Sequence, residues 1–268
     1  MHPTDDQALL ITAMCEAGAI ALRHFRTDLK VWDKQGTPVS DADIAVNEHF
    51  QRRLGAARPD YGWLSEETGD DTRRLSCRRV WVVDPIDGTR AFVDGLPHFC
   101  HSVALVEDGR PTLAALYNPA VDELYEAAAG RGARLNGRAI HVSDRGEIEG
   151  CRIAAFEPMF RHPAWREPWP KMEVVQPNSV AYRLALVASG NVDAAFGLNT
   201  KQDWDLAAAD LIVHEAGGRV SSHDGQLMRY NTSVTAHRSY LAAGPAMYAA
   251  LFARVGQVQL RRPQLQTS

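Results

Sequence analysis

Apolar positions recur along this chain with two periods, and the periods divide it into helices and strands. Leu10, Met14, Ala17, Ala21 and Phe25 follow at helical spacing behind Thr4-Asp5-Asp6-Gln7, a capping-box pattern. They predict a first helix ending near Arg26. Ser40-Asp41-Ala42-Asp43 reads as a second helix start, with Ile44, Glu48, Gln51 and Leu54 continuing its turns. Val80–Val83 is a short apolar run of strand character. From Ser102 to Tyr117, apolar groups alternate around Glu107-Asp108-Gly109-Arg110, the pattern of a hairpin. A turn at Asn118-Pro119-Ala120-Val121-Asp122 then leads into Leu124–Ala128, so a meander of antiparallel strands is expected. Glycines 130, 132 and 137 punctuate the next stretch, and Glu157–Trp169, rich in proline and aromatic residues, reads as a surface connection. Val180–Ala188 and Leu206–Ala216 have helical character and are stopped by Gly190 and Gly217. This order of elements predicts a layered α/β (α+β) sandwich. We expect one unit of two lobes, residues 1–145 and 146–268.

Composition narrows the function classes. The chain has 268 residues, enough for a sizeable core, and its 45% hydrophobic and 23% charged content is ordinary for a globular protein. A net charge of −4 offers no basic field for nucleic acid or acidic lipid. An anionic substrate would therefore be captured locally. Met1 to Asp6 has no cationic segment leading into an apolar core, and no apolar run approaches the roughly 20 residues that span a bilayer. Cys15, Cys77, Cys100 and Cys151 are scattered without CxxC spacing, so neither a zinc site nor a disulfide framework is expected. The reading is a cytoplasmic protein with no membrane or nucleic-acid partner.

Chemistry concentrates in Trp81-Val82-Val83-Asp84-Pro85-Ile86-Asp87-Gly88-Thr89. An apolar strand empties into two aspartates, which either repel each other or share a cation. Gly88 and Thr89 then supply backbone N–H groups and a hydroxyl where an anion could sit. Further acids stand at Asp41/Asp43, Glu66-Glu67 and Asp203/Asp205, several of them at the ends of apolar elements. Hard oxygen ligands without clustered His or Cys favour Mg²⁺, or Mn²⁺, over zinc. Two such ions could clamp the attacking and leaving oxygens of a phosphate ester. His98 and His101 are read as core or loop residues, and Cys100 as an ordinary buried thiol.

Glu66-Glu67, Asp84-Pro85-Ile86-Asp87-Gly88-Thr89 and Trp204-Asp205, followed by Glu215-Ala216-Gly217-Gly218, resemble the inositol monophosphatase superfamily in motif and in order. The resemblance covers nearly the whole chain and implies an αβαβα fold and a magnesium-dependent, lithium-sensitive phosphomonoesterase. It further implies that Glu66, Asp84 and the Ile86 carbonyl hold one Mg²⁺, that Asp84, Asp87 and Asp205 hold a second, and that a third, weaker ion sits near Glu66. Gly88 and Thr89 would cradle the phosphate, and Thr89 with Asp43 would orient and deprotonate the attacking water. Glu67 would support this shell. Members are often dimers, so a homodimer is admitted.

Within the superfamily, Lys34-Gln35-Gly36-Thr37-Pro38-Val39-Ser40-Asp41-Ala42-Asp43 and Arg90-Ala91-Phe92 resemble the 3'(2'),5'-bisphosphate nucleotidase branch. Phe196–Gln202 lacks the glutamate with which inositol enzymes bind sugar hydroxyls. The substrate ranking is therefore nucleotide bisphosphate, then inositol 1-phosphate, then histidinol phosphate. Arg90, Arg183 and Lys201 are the candidate cations for a second phosphate, and Ser179 and Asp205 join the substrate-binding set. A non-catalytic binding or regulatory relative would have lost a ligand or the Asp43–Thr89 pair, and this chain keeps them.

Overall fold

A computed structural model describes residues 3–34, 36–163 and 165–260. Helix α1 (Pro3–His24) buries Leu10, Met14, Ala17 and Ala21, as their spacing predicts. It already includes Pro3, so Thr4 lies within the helix; a cap from the Thr4 side chain falls outside the described residues. The helix stops two residues short of Arg26, which turns the chain at φ 61°. A hairpin follows, β1 (Val31–Lys34) against β2 (Thr37–Ser40). Every residue of β1 is exposed, so no core-facing alternation marks it in the sequence. Ser40 then caps α2 (Asp41–Phe50), which runs on through a π-helical turn, Gln51–Gly55, that carries Leu54 into the core.

The first sheet is built in chain order. Strands β3 (Gly62–Ser65) and β4 (Arg79–Asp87) are parallel. After the short helix α3 (Thr89–Val93) come β5 (Cys100–Glu107), β6 (Arg110–Asn118), β7 (Glu123–Ala128), β8 (Ala133–Leu135) and β9 (Arg138–Ala139), each antiparallel to its predecessor. The expected meander is therefore present.

The rest of the chain supplies β10 (Arg152–Ala154), β11 (Glu173–Val175), α4 (Val180–Ala188), β12 (Ala194–Gly197), β13 (Lys201–Gln202), α5 (Asp203–Glu215), β14 (Arg219–Ser221), β15 (Ala236–His237), β16 (Tyr240–Ala243) and α6 (Pro245–Val255). The second sheet has the order β11-β10-β12-β16-β14, and β13 pairs separately with β15.

Strand alternation dictates the layers. Trp81 and Val83 of β4 face the core shared with Leu10 and Met14 of α1 and Val46 and Phe50 of α2. Their neighbours Val80 and Val82 face α4 and α5, and the same core continues into Ala195, Val220 and Ala242 of the second sheet. The far face of that sheet packs Ile153, Phe196 and Leu241 on Met247 and Leu251 of α6. Helices, sheet, helices, sheet and helix thus stack as αβαβα. Helix α5 lies between both sheets, so Leu206 to Val213 are all buried and show no polar face. The segment Glu157–Trp169 is more than a surface connection, because Phe160 and Trp169 pack on Phe196 with ring centroids 5.6 Å apart in each pair. Its aromatic content serves the third core. No described helix is long and apolar enough to cross a membrane.

Candidate metal centre

A strict period of two would place Asp84 and Asp87 on opposite faces of β4. The strand avoids this with a bulge: Asp84 pairs with Ser102 but Asp87 with Cys100, so one extra residue is absorbed around Pro85-Ile86. Proline suits the position because it has no N–H to leave unpaired. The bulge brings both carboxylates to one side. His101 supports it from behind, its Nδ1 hydrogen-bonded to the Pro85 carbonyl. Burial lowers the His101 pKa to about 4, so the ring is neutral and Nδ1–H is the donor. His101 is thus a buried core residue, as its sequence reading held.

Asp205 arrives from the other half of the chain. Helix α5 begins at Asp203, earlier than the apolar pattern indicated, and this puts Asp205 in its first turn. There the carboxylate accepts from the Gln202 backbone N–H at 2.6 Å. Carboxylate oxygens of Asp84, Asp87 and Asp205 all lie within 4.8 Å of one another. Asp87 Oδ2 is fixed by the Ser179 hydroxyl and the Ala181 N–H, each at 2.6 Å, at the start of α4. Asp84 Oδ1 is buried and has no hydrogen-bond partner among the described residues. Glu66 follows β3, where its N–H is held by the Val83 carbonyl at 3.2 Å, and it lines the same cleft of about 580 Å³.

The electrostatics of this cluster call for a cation. Burial pushes the Asp84 carboxyl well above its usual range, and the charges of Glu66, Asp87 and Asp205 add to it. Burial and then Asp205 raise Asp87 to about 7, while burial followed by Asp205 and Glu67 raises Glu66 to about 8. Asp205 is also raised by burial, against the opposing charge of Lys201. Folded-state values above the unfolded ones mean that the metal-free native state binds more protons than the unfolded chain. Its stability therefore falls as pH rises through these values. An unpaired buried oxygen among mutually repelling carboxylates fits a hard divalent ion and no organic cofactor.

Beside the cluster, Thr89 Oγ1 lies 2.9 Å from Asp43 Oδ1 and 3.0 Å from the Ile86 carbonyl. Asp43 Oδ2 accepts from the Ser40 N–H at 2.8 Å and the Ser40 hydroxyl at 2.5 Å. Burial raises Asp43 to about 6 despite those bonds. Gly88 initiates α3 at φ 95°, and a Cβ there would stand 2.7 Å from the His98 carbonyl, so only glycine fits.

The other sequence candidates separate by position. Ile86, Arg90 and Lys201 line the cleft, Arg90 at an exposed position. Ser179 is corrected: it is fully buried behind Asp87, its hydroxyl committed to that carboxylate, and Asn178 faces the cleft in its place. Arg183 lies outside the cleft, on an adjoining cavity, with its Nε donating to the Pro177 carbonyl at 2.6 Å. Lys34 was missed. From the exposed β1 it donates to the Glu66 carbonyl at 2.5 Å and to Glu67 Oε2 at 3.0 Å. Its only sequence signal was its place at the head of the Lys34–Asp43 motif.

The sequence pattern that defines the "Inositol monophosphatase family" matches residues 4–260. The chain belongs to this family. Among its relatives, the inositol-1-monophosphatase of Mesorhizobium japonicum is 37% identical over 242 residues, 85% of this chain and 90% of that protein. The Nus factor SuhB of Xylella fastidiosa is 37% identical over 228 residues, 81% of this chain and 82% of that one. The histidinol-phosphatase of Mycobacterium tuberculosis is 35% identical over 237 residues, 82% and 88% of the two chains. The Thermotoga maritima IMPase structure superimposes with a TM-score of 0.82 at 28% identity, covering 94% of this chain and 96% of that one. The chain is accordingly a phosphatase of a metal-dependent family, and its carboxylate cluster has the donor chemistry that this dependence requires.

Proposed function

We propose that the chain hydrolyses phosphate monoesters by in-line attack of water, with Mg²⁺ held by Glu66, Asp84, the Ile86 carbonyl, Asp87 and Asp205. The observation that carries this reading is the buried oxygen of Asp84, without a hydrogen-bond partner among the described residues, beside the Thr89–Asp43 hydrogen bond. When bound, the metal supplies Lewis acidity that neutralises phosphate charge and strengthens water as a nucleophile. Thr89 donates its proton to Asp43, which leaves its oxygen lone pairs to accept from a water and orient it. Asp43, with a pKa of about 6, is ionised at neutral pH yet basic enough to take the proton that Thr89 relays. The Gly88 and Thr89 amides, at the start of α3, would offer N–H donors to the phosphate. Positioning and charge stabilisation then account for catalysis, and no phosphoenzyme is needed.

For the substrate we favour a nucleotide bisphosphate such as adenosine 3',5'-bisphosphate. Arg90 and Lys201 line the cleft, Lys34 there being paired with Glu67, while its described acids are only those of the metal cluster. A second anionic group therefore has partners, whereas the ammonium of histidinol phosphate or the hydroxyls of inositol lack a further carboxylate. The names of the relatives favour the second reading, inositol 1-phosphate or histidinol phosphate. The four free cysteines accord with a reducing, cytoplasmic setting.

A phosphate-release panel with saturating Mg²⁺ separates the readings. Adenosine 3',5'-bisphosphate is expected to show the highest kcat/KM, and Lys201→Ala is expected to lower it about tenfold while sparing inositol 1-phosphate. A clear preference for inositol 1-phosphate or histidinol phosphate would overturn the nucleotide reading, and no magnesium-dependent release from any ester would overturn the phosphatase mechanism.

A further inference from the structure

A second cavity of about 760 Å³ adjoins the metal cleft, and Asn178 and Lys201 line both. Three aromatic residues, Phe156, Trp165 and the fully buried Phe196, line it together with the aliphatic Val180 and Leu198. Phe156 is 61% exposed, so the fold itself gains little from holding that ring there. Polar groups punctuate the walls, among them the amide of Asn199 and the guanidinium of Arg183.

The remaining wall is the chain segment Val258–Leu260. Two side chains strap it in place. His223 Nδ1 lies 2.7 Å from the Ser239 hydroxyl, whose oxygen also accepts the His223 backbone N–H at 3.0 Å. The Val258 carbonyl, 2.8 Å from Nε2, can only accept, so Nε2–H is the donor there. Arg238 donates to the Leu260 carbonyl. A segment held at both positions is a fixed wall, and the cavity it completes is of the size that encloses a nucleoside.

We infer that this cavity binds a planar heteroaromatic base on the leaving-group side of the substrate, with Phe156 as a stacking face. Aromatic rings offer a base large contact surfaces, and side-chain amides can read its hydrogen-bonding edge. Arg183 and Lys201 add positive charge where a second phosphate of the same nucleoside would lie, whereas an aliphatic chain would use neither amide nor cation. The inference rests on the phosphomonoesterase reading for the placement of the scissile phosphate.

The test uses the magnesium-loaded 268-residue chain and the exposed position, where substitution leaves the core intact. Phe156→Ala is expected to raise KM for adenosine 3',5'-bisphosphate about tenfold, the scale of one lost base–aromatic stack, with kcat/KM for glycerol 2-phosphate unchanged. Phe156→Trp should restore the parent KM. Saturation-transfer NMR of adenosine, which carries no ester to hydrolyse, should show contact of its base protons with the parent chain and lose it in Phe156→Ala. Equal effects on both esters, no effect on the nucleotide, or no adenosine signal from the parent would overturn the base site. The two readings fail separately. A parent inert toward every ester but still contacting adenosine would refute the phosphatase mechanism alone. A parent active on glycerol 2-phosphate, with a Phe156→Ala variant indifferent to the base, would refute this inference alone.

Discussion

Asp84→Asn is expected to reduce magnesium-dependent phosphate release by about 10³-fold or more while the chain stays folded. The magnitude follows from the several kcal/mol of transition-state charge stabilisation that a catalytic metal provides, at 1.36 kcal/mol per decade of rate. Asp84 is the most demanding member of the cluster, because it is buried and one of its oxygens has no hydrogen-bond partner among the described residues. The substitution keeps shape and removes a charge that burial, Glu66, Asp87 and Asp205 all oppose. Its metal-free melting temperature should therefore be no lower than that of the parent. Turnover within tenfold of the parent would remove Asp84 from the centre. Loss of activity together with loss of the folded circular dichroism spectrum would assign it a structural role.

Thr89→Ala is expected to lower kcat by roughly 10²-fold with little change in KM, the scale of a lost general-base arrangement. The hydroxyl joins the Ile86 carbonyl and Asp43 at a single atom, and alanine removes the link through which we propose that Asp43 reaches the attacking water. Thr89→Ser keeps the oxygen and should retain most of the rate. A Thr89→Ala enzyme of near-normal kcat, or one whose loss appears only in KM, would assign the water to another group.

The apolar pattern made the helices and the meander legible because one face of each is buried against a layer. It failed where burial is either complete or absent. Helix α5 is packed on both sides, so its apolar run marked only Leu206 onward and hid the first turn that holds Asp205. Strand β1 is exposed throughout, and Lys34 went unread with it. The acidic motifs identified the cluster by residue type, but periodicity alone would have set Asp84 and Asp87 on opposite faces. The bulge at Pro85-Ile86 reconciles them. The sequence places Ser179 in the substrate-binding set, but its buried hydroxyl meets Asp87 rather than the cleft, a partner 92 residues away that no local pattern marks.

If buried carboxylates from distant segments need a divalent cation, thermal melting with and without metal will show it. In chelator, the melting temperature should fall as pH rises through the raised values of Asp43, Asp87 and Glu66, about 6, 7 and 8. Magnesium at about a hundred times its dissociation constant should restore roughly 5–10 °C at the alkaline end, and the gain should vanish in Asp84→Asn. A metal-free melting temperature that is flat across this range, with no response to magnesium or manganese, would contradict the account.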